Sequence, residues 1–195
     1  MVSQIKVNEI IKQSGSSISI GESGDTINVS GSALTQGITN AEQHHLTSNI
    51  NIDSADTWTL LTPFTRSSGS GLGNIETYVS SSSGIFSFSQ TGYYLIQFIG
   101  YHKRSNHLVQ YSGTSIYMTT NNSSYNALTE TYTNLQDTGN AYGNSSNTAI
   151  VDITDTSQCK VKFMGQSSDA GGTQFQGNTN LPVKNYATFL RIGDT

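Results

Sequence analysis

Few residues in this chain have the type and spacing to do chemistry. His44 and His45 are adjacent, so on a helix or a strand they project to different faces and cannot hold one ion within a single chain. One imidazole from each of three copies, gathered on a three-fold axis, would bring them to a metal; the alternative is a solvated or interchain hydrogen-bonded pair. Asp152 and Asp155 straddle a strand end, and no nearby carboxylate completes the pair that glycoside hydrolysis requires, leaving a pair assembled across chains as the alternative. Gly69, Gly71 and Gly73 in SGSGLGN lack the following helix and the wider spacing of a phosphate-cradling loop, and read as a flexible turn. Cys159 is the single cysteine. It excludes an internal disulfide, has no histidine partner, and reads as a buried or half-buried small residue. No enzyme, no cofactor and no intrachain metal site are expected.

Recognition chemistry is better represented. The stretch from Asn121 to Asn147 reads as loop-rich and places Tyr125, Tyr132 and Tyr142 among Asn, Ser and Gly. Aromatic faces beside short polar side chains suit recognition of a sugar or a protein surface; the alternative is that these rings pack within an assembly of identical chains. No nucleic-acid partner is expected, because a net charge of -4 and a pI near 5.4 argue against the clustered cations that neutralise phosphates. The one basic segment, His102-Lys103-Arg104, reads as a solvated strand end.

The elements that must position these residues follow from composition. Only 11% of the residues are charged, against about 25% in ordinary domains. Ser, Thr, Asn and Gly make up close to half of the chain, with ten Tyr, seven Phe and one Trp. Low net charge with many aromatic and β-branched residues favours an all-β fold of short strands and many turns. From Trp58 onward, TWTLLTPF, IETYVS, IFSFS, YYLIQFIGY, HLVQYS, TSIYMTT, TAIVDIT, CKVKFMG and YATFLRI alternate with Gly and Ser/Asn clusters, the spacing of a sandwich or jelly roll. In YYLIQFIGY both alternating sets, Tyr94/Ile96/Phe98 and Tyr93/Leu95/Gln97/Ile99/Tyr101, are largely apolar, so both faces need cover. One is the core; the economical cover for the other is a second copy of the chain. Tyr94, Ile96 and Phe98 are taken as that self-contact, with Tyr94→Asp expected to scatter the assembly.

Two segments precede the jelly roll. In residues 1–37, Ile5 and Val7, Ile18 and Ile20, and Ile27 and Val29 form alternating pairs too short to bury a face of their own. This region is expected to attach by pairing with copies of itself or with another protein. In residues 38–55, Thr39-Asn40-Ala41-Glu42 has the form of a capping box, which predicts a short helix over 40–46 followed by a connector. No apolar run is long enough to span a bilayer, so no membrane insertion is expected. The start MVSQIKVNEIIKQ lacks the apolar stretch of a signal peptide. Folding in a cytoplasm is expected, where the sequons at Asn28, Asn121, Asn122 and Asn144 meet no glycosylation machinery.

Gly84, Phe86, Phe88, Gly92, Tyr94 and Ile96 trace G-x-F-x-F-x-x-x-G-x-Y-x-I, which resembles the central signature of the complement and tumour-necrosis-factor jelly-roll superfamily. AIVDITDTSQCKVKFM resembles the strand, turn and strand that follow, with Asp155-Thr156-Ser157-Gln158 where a turn glycine is usual, and YATFLRI resembles the closing strand. Over residues 56–195 the resemblance implies a ten-strand jelly roll that assembles as a trimer. In the N-terminal region, I-K-V-N-x-I, S-G-x-x-I-x-I-G and S-G-D-T-I-x-V-S-G are similar to the opening of fibre and virion-associated proteins of marine tailed bacteriophages. That resemblance implies a homotrimeric fibre or capsid or tail decoration, located in the virion and anchored to other virion proteins by its N-terminus. The alternative function is a receptor-binding module for a host surface glycan or protein.

Overall fold

The computed structural model describes Ile38 and residues 40–69, 71–105, 109–135 and 139–195. Period-two alternation of apolar and polar residues dominates these segments, and they fold as strands: β1 (Asn40–Leu46), β2 (Ile50–Asn51), β3 (Thr59–Leu60), β4 (Phe64–Arg66), β5 (Val79–Ser82), β6 (Ile85–Phe88), β7 (Gly92–Ser105), β8 (Tyr111–Thr119), β9 (Asn126–Asn134), β10 (Asn140–Ile153), β11 (Lys160–Ser167), β12 (Thr173–Phe175) and β13 (Tyr186–Gly193). The described residues contain no helix.

Two antiparallel sheets face each other. The seven-stranded sheet runs β2-β12-β7-β13-β1-β4, with β10 paired along the other edge of β7. The six-stranded sheet runs β5-β6-β11-β8-β9, with β3 added to β11. Between them lies a core of rings: Phe86 sits 5.3 Å from Phe64 and 5.1 Å from both Phe163 and Phe189, and Phe98 stacks on Phe163 at 4.6 Å and 20°. Each such buried ring contributes about 2–3 kcal/mol by removal of apolar surface from water.

Turn chemistry fixes the register. Ser83 and Gly84 both have positive φ, 50° and 79°, in the two-residue loop that pairs Ser82 with Ile85, the twist that hairpins require. At Gly92, φ is 139°, and a Cβ there would lie 2.5 Å from the carbonyl oxygen of Gly193. Only glycine lets β7 begin against the end of β13 in this way.

Three expectations are corrected. Residues 40–46 are not a helix: Asn40, Glu42 and His44 all face inward on β1 and pair through to β13, and a cross-strand partner on each side outweighs a local capping pattern. The sandwich consequently begins at β1, not at residue 56, and the expected connector contains β2. The stretch 121–147 is mostly two strands, β9 and β10, because its Thr, Tyr and Asn alternate on pleated surfaces. The attachment residues Ile5, Val7, Ile18, Ile20, Ile27 and Val29 lie outside the described residues.

Candidate functional site

Tyr94, Ile96 and Phe98, taken from the sequence as the self-contact, are fully buried inside one chain. Tyr94 lies 4.9 Å from Phe88, its hydroxyl donates to the Gln90 carbonyl at 3.0 Å, and burial pushes its pKa up to about 12 despite nearby Arg191. These three side chains form no surface, so the assignment is reversed: the outward face of β7 carries the other set, Tyr93, Leu95, Gln97, Ile99 and Tyr101.

Cross-strand pairing extends that set into rows across the seven-stranded sheet. Ala41, Leu190, Leu95 and Ile150 are aligned across β1, β13, β7 and β10. A polar row follows, Gln43, Thr188, Gln97 and Thr148, and then His45, Tyr186, Ile99 and Ser146. Ile150 is 65% exposed, Ile192 50% and Tyr93 41%. At the far end of the face, Tyr142, on β10 rather than a loop, stacks on Tyr101 at 5.7 Å with Lys184 5.5 Å over the Tyr101 ring.

The six-stranded sheet presents a different face. Tyr111, Tyr132, Trp58 and Tyr117 form a row with successive ring centroids 5.4, 6.0 and 6.3 Å apart. Lys162 continues it, its ammonium 5.6 Å from the Tyr117 ring and 4.3 Å from the Tyr125 ring. Of the three tyrosines the sequence singled out, Tyr125 and Tyr132 therefore share this row and Tyr142 lies on the other sheet. Sequence reading missed Trp58, Tyr111 and Tyr117. Their signal was present, since Tyr111 and Tyr117 are six residues apart on one strand and so share a face.

The two histidines diverge as expected for neighbours on an extended chain. His44 points into the core, edge-on to Phe86 at 5.4 Å and Phe189 at 5.8 Å, which removes it from any three-fold axis. His45 approaches Ser67 Oγ at 2.9 Å, and burial together with the neighbouring His44 lowers its pKa. Asp155 accepts from the Ser157 amide and hydroxyl at 2.7 Å each, shaping the turn before Cys159, which is buried.

Two buried polar centres brace the sandwich. Glu42 Oε1 accepts from Asn40 Nδ2 at 2.7 Å and from the amides of Tyr78 and Val79 at 2.5 and 2.8 Å, and Oε2 accepts from Arg66 Nε at 2.9 Å. Burial alone would raise its pKa; the approach of His44 Nε2 to Oε2 at 3.5 Å and the hydrogen bonds from Asn40 and the two amides outweigh burial and hold it at about 2. The carboxylate thus does satisfy free amides, as a capping residue would, but those of a segment 36 residues away.

The second centre surrounds His102. Its Nδ1 lies 2.5 Å from Ser112 Oγ and its Nε2 2.7 Å from Ser145 Oγ, and the chain continues through Thr114 to Asn147. Burial pushes the His102 pKa down to about 3, keeping the ring neutral. This serine-histidine arrangement has no access to a substrate, since His102 and Ser112 are fully buried. Its work is to satisfy polar groups at one end of the core.

The sandwich, its strand pairing and its core define a tumour-necrosis-factor-like jelly roll. Solved structures agree: the chain is similar to murine APRIL, with a TM-score of 0.54 and 8% identity over 78% of this chain and 98% of that one. It is similar also to the Eiger TNF of S. frugiperda, with a TM-score of 0.56 and 10% identity over 82% of this chain and 96% of that one. A third similar structure is the PRD1 vertex protein P5, at a TM-score of 0.49 and 13% identity over 80% of this chain and 99% of that one. No protein-family description and no curated protein matches the sequence.

Proposed function

We propose that this protein is a non-enzymatic structural component of a bacteriophage virion, a homotrimer whose jelly rolls pack through the outward face of the seven-stranded sheet. The row Ala41-Leu190-Leu95-Ile150 carries the reading. It is an apolar band across four strands, flanked by Tyr93 and Ile192, and a soluble chain gains by covering such a patch. Three copies is the stoichiometry that the sequence resemblance to tumour-necrosis-factor jelly rolls implies. The virion setting rests on the resemblance of residues 1–37 to phage fibre openings, and in this reading that region anchors the trimer on another virion protein while the sandwich projects.

Sedimentation velocity of the full chain tests the assembly, and cross-linking within purified virions tests the setting. A trimer that persists on dilution, and virion cross-links from residues 1–37, are expected. A monodisperse monomer would remove the assembly reading, and absence of the chain from virions would remove the setting.

A further inference from the structure

We propose that the outward face of the six-stranded sheet is a binding track for an uncharged polysaccharide, whose hexopyranose rings stack on Tyr132 and Trp58. The geometry of Tyr132 carries the inference. A Cβ at Gly113 would lie 2.5 Å from Tyr132 Cδ1 and 2.7 Å from Cε1, so the ring of this β9 residue lies directly on the backbone of β8. Its hydroxyl reaches across to Gln166 Oε1 of β11 at 3.2 Å and lies 3.2 Å from Glu130 Oε2 of its own strand. The ring is therefore held at both ends, flat on the sheet, and is still 49% exposed.

A flat, fixed, exposed aromatic face complements the C–H face of a pyranose and loses little entropy on contact. Trp58 lies beside it at 6.0 Å and 44°, while Tyr111 stands edge-on at 5.4 Å and 88°, its own hydroxyl donating to Asp56. Tyr111, Tyr132 and Asn134 line a shallow, open depression of about 330 Å³, a shape on which a sugar ring can lie across the surface. Gly113 also makes the platform intelligible at the sequence level: any larger residue on β8 would lift the ring off the sheet.

Charge selects the ligand. Beside the platform stand two carboxylates, Asp56 and Glu130, and two side-chain amides, Gln166 and Asn134. Carboxylates accept hydrogen bonds from sugar hydroxyls and repel uronate or sialate groups. Among the described residues, the cation that meets these rings is Lys162, over Tyr125 and Tyr117 at the far end of the row. The partner is thus a chain of neutral hexoses, and the track lies within one chain, so it functions whether or not the protein trimerises.

Trp58 is the only tryptophan, so its emission reports on the track directly. Full-length protein is titrated with linear neutral hexamers of glucose, mannose and galactose and with hexamers of the corresponding uronates, with thermal melting recorded for every variant. A saturable change in Trp58 emission is expected with at least one neutral hexamer and with none of the uronates. Affinity should weaken at least tenfold in Tyr132→Ala. It should weaken similarly in Gly113→Ala, which keeps every ring and only lifts one, and should be unchanged in Ile150→Asp on the opposite sheet. Silence across the neutral set, preference for uronates, or undiminished binding by a folded Tyr132→Ala or Gly113→Ala variant would overturn the proposal. Sedimentation of the same samples separates this outcome from failure of the trimer.

Discussion

The two outward faces of the sandwich both present apolar side chains and dispose of them differently. On the seven-stranded sheet, Leu95, Leu190 and Ile150 are aliphatic, carry no polar tip, and can be satisfied only by exclusion of water. On the six-stranded sheet the apolar surface consists of rings whose hydroxyls are tied, Tyr111 to Asp56 and Tyr132 to Glu130 and Gln166. An aliphatic band suits permanent burial against an identical copy, whereas anchored rings with polar neighbours suit a contact that forms and dissolves in water. The contrast teaches that exposure alone does not assign a surface; what the polar atoms beside it are doing decides.

Substitutions can break that contrast at its sharpest point, where β10 pairs with β7. Val151 is opposite Tyr94 and faces inward, and its neighbour Ile150 is opposite Leu95 and faces outward. Tyr94→Asp should abolish folding, because it buries a charge among Phe88 and its neighbours, a loss of about 5 kcal/mol or more; circular dichroism should show no cooperative transition. Both faces would vanish together, which is a collapse of the core and not the selective scattering of an assembly.

Acid should have the next largest effect and should remove both faces at one pH, since they share a core. The His102 pKa is lowered from 6.5 to about 3, so between those values the unfolded chain binds a proton that the folded one refuses. Stability is full above pH 6.5 and falls toward pH 3 by on the order of 5 kcal/mol. Glu42, lowered from 4.5 to about 2, adds stability that is present above pH 4.5 and is lost below it, about 3 kcal/mol more. Urea midpoints measured against pH should show both slopes, with His102→Gln flattening the first and Glu42→Gln the second. Trp58 emission and sedimentation should change at the same pH.

Smaller changes sharpen the contrast. Ile150→Asp should leave the single chain folded, its melting point within a few degrees of wild type, while placing a charge in each interface at a cost of about 3 kcal/mol or more per site. Gly113→Ala should cost about 1–3 kcal/mol in stability, leave the sedimentation unchanged, and shift Trp58 emission as Tyr132 lifts.

Much of this was legible in the amino-acid order. Alternation and turn residues mark β6, β7, β8, β11 and β13, and YYLIQFIGY, apolar on both sides, marks β7 as the strand at the centre of the core. What alternation does not state is which set faces in. Tyr94 and Phe98 alternate with Tyr93 and Ile99, the two sets have nearly equal hydrophobicity, and phase is decided by Gly92 and the partner strands, which are distant in sequence. The expected helix failed for the same reason: Glu42 in T-N-A-E carries a local capping signal, and its real partners, Arg66, Tyr78 and Val79, come from elsewhere. Tyr132 and Tyr125 were visible as candidate ligand groups. The platform was not, because it depends on Gly113 lying opposite Tyr132 in the register of β8 and β9.

In the proposed trimer the aliphatic face joins identical copies. Sedimentation velocity of wild type beside Ile150→Asp at micromolar concentration tests it most directly. Wild type is predicted to sediment at three times the 21.0 kDa chain mass, and Ile150→Asp as a folded monomer. A wild-type monomer, or a variant trimer indistinguishable from wild type, would contradict it.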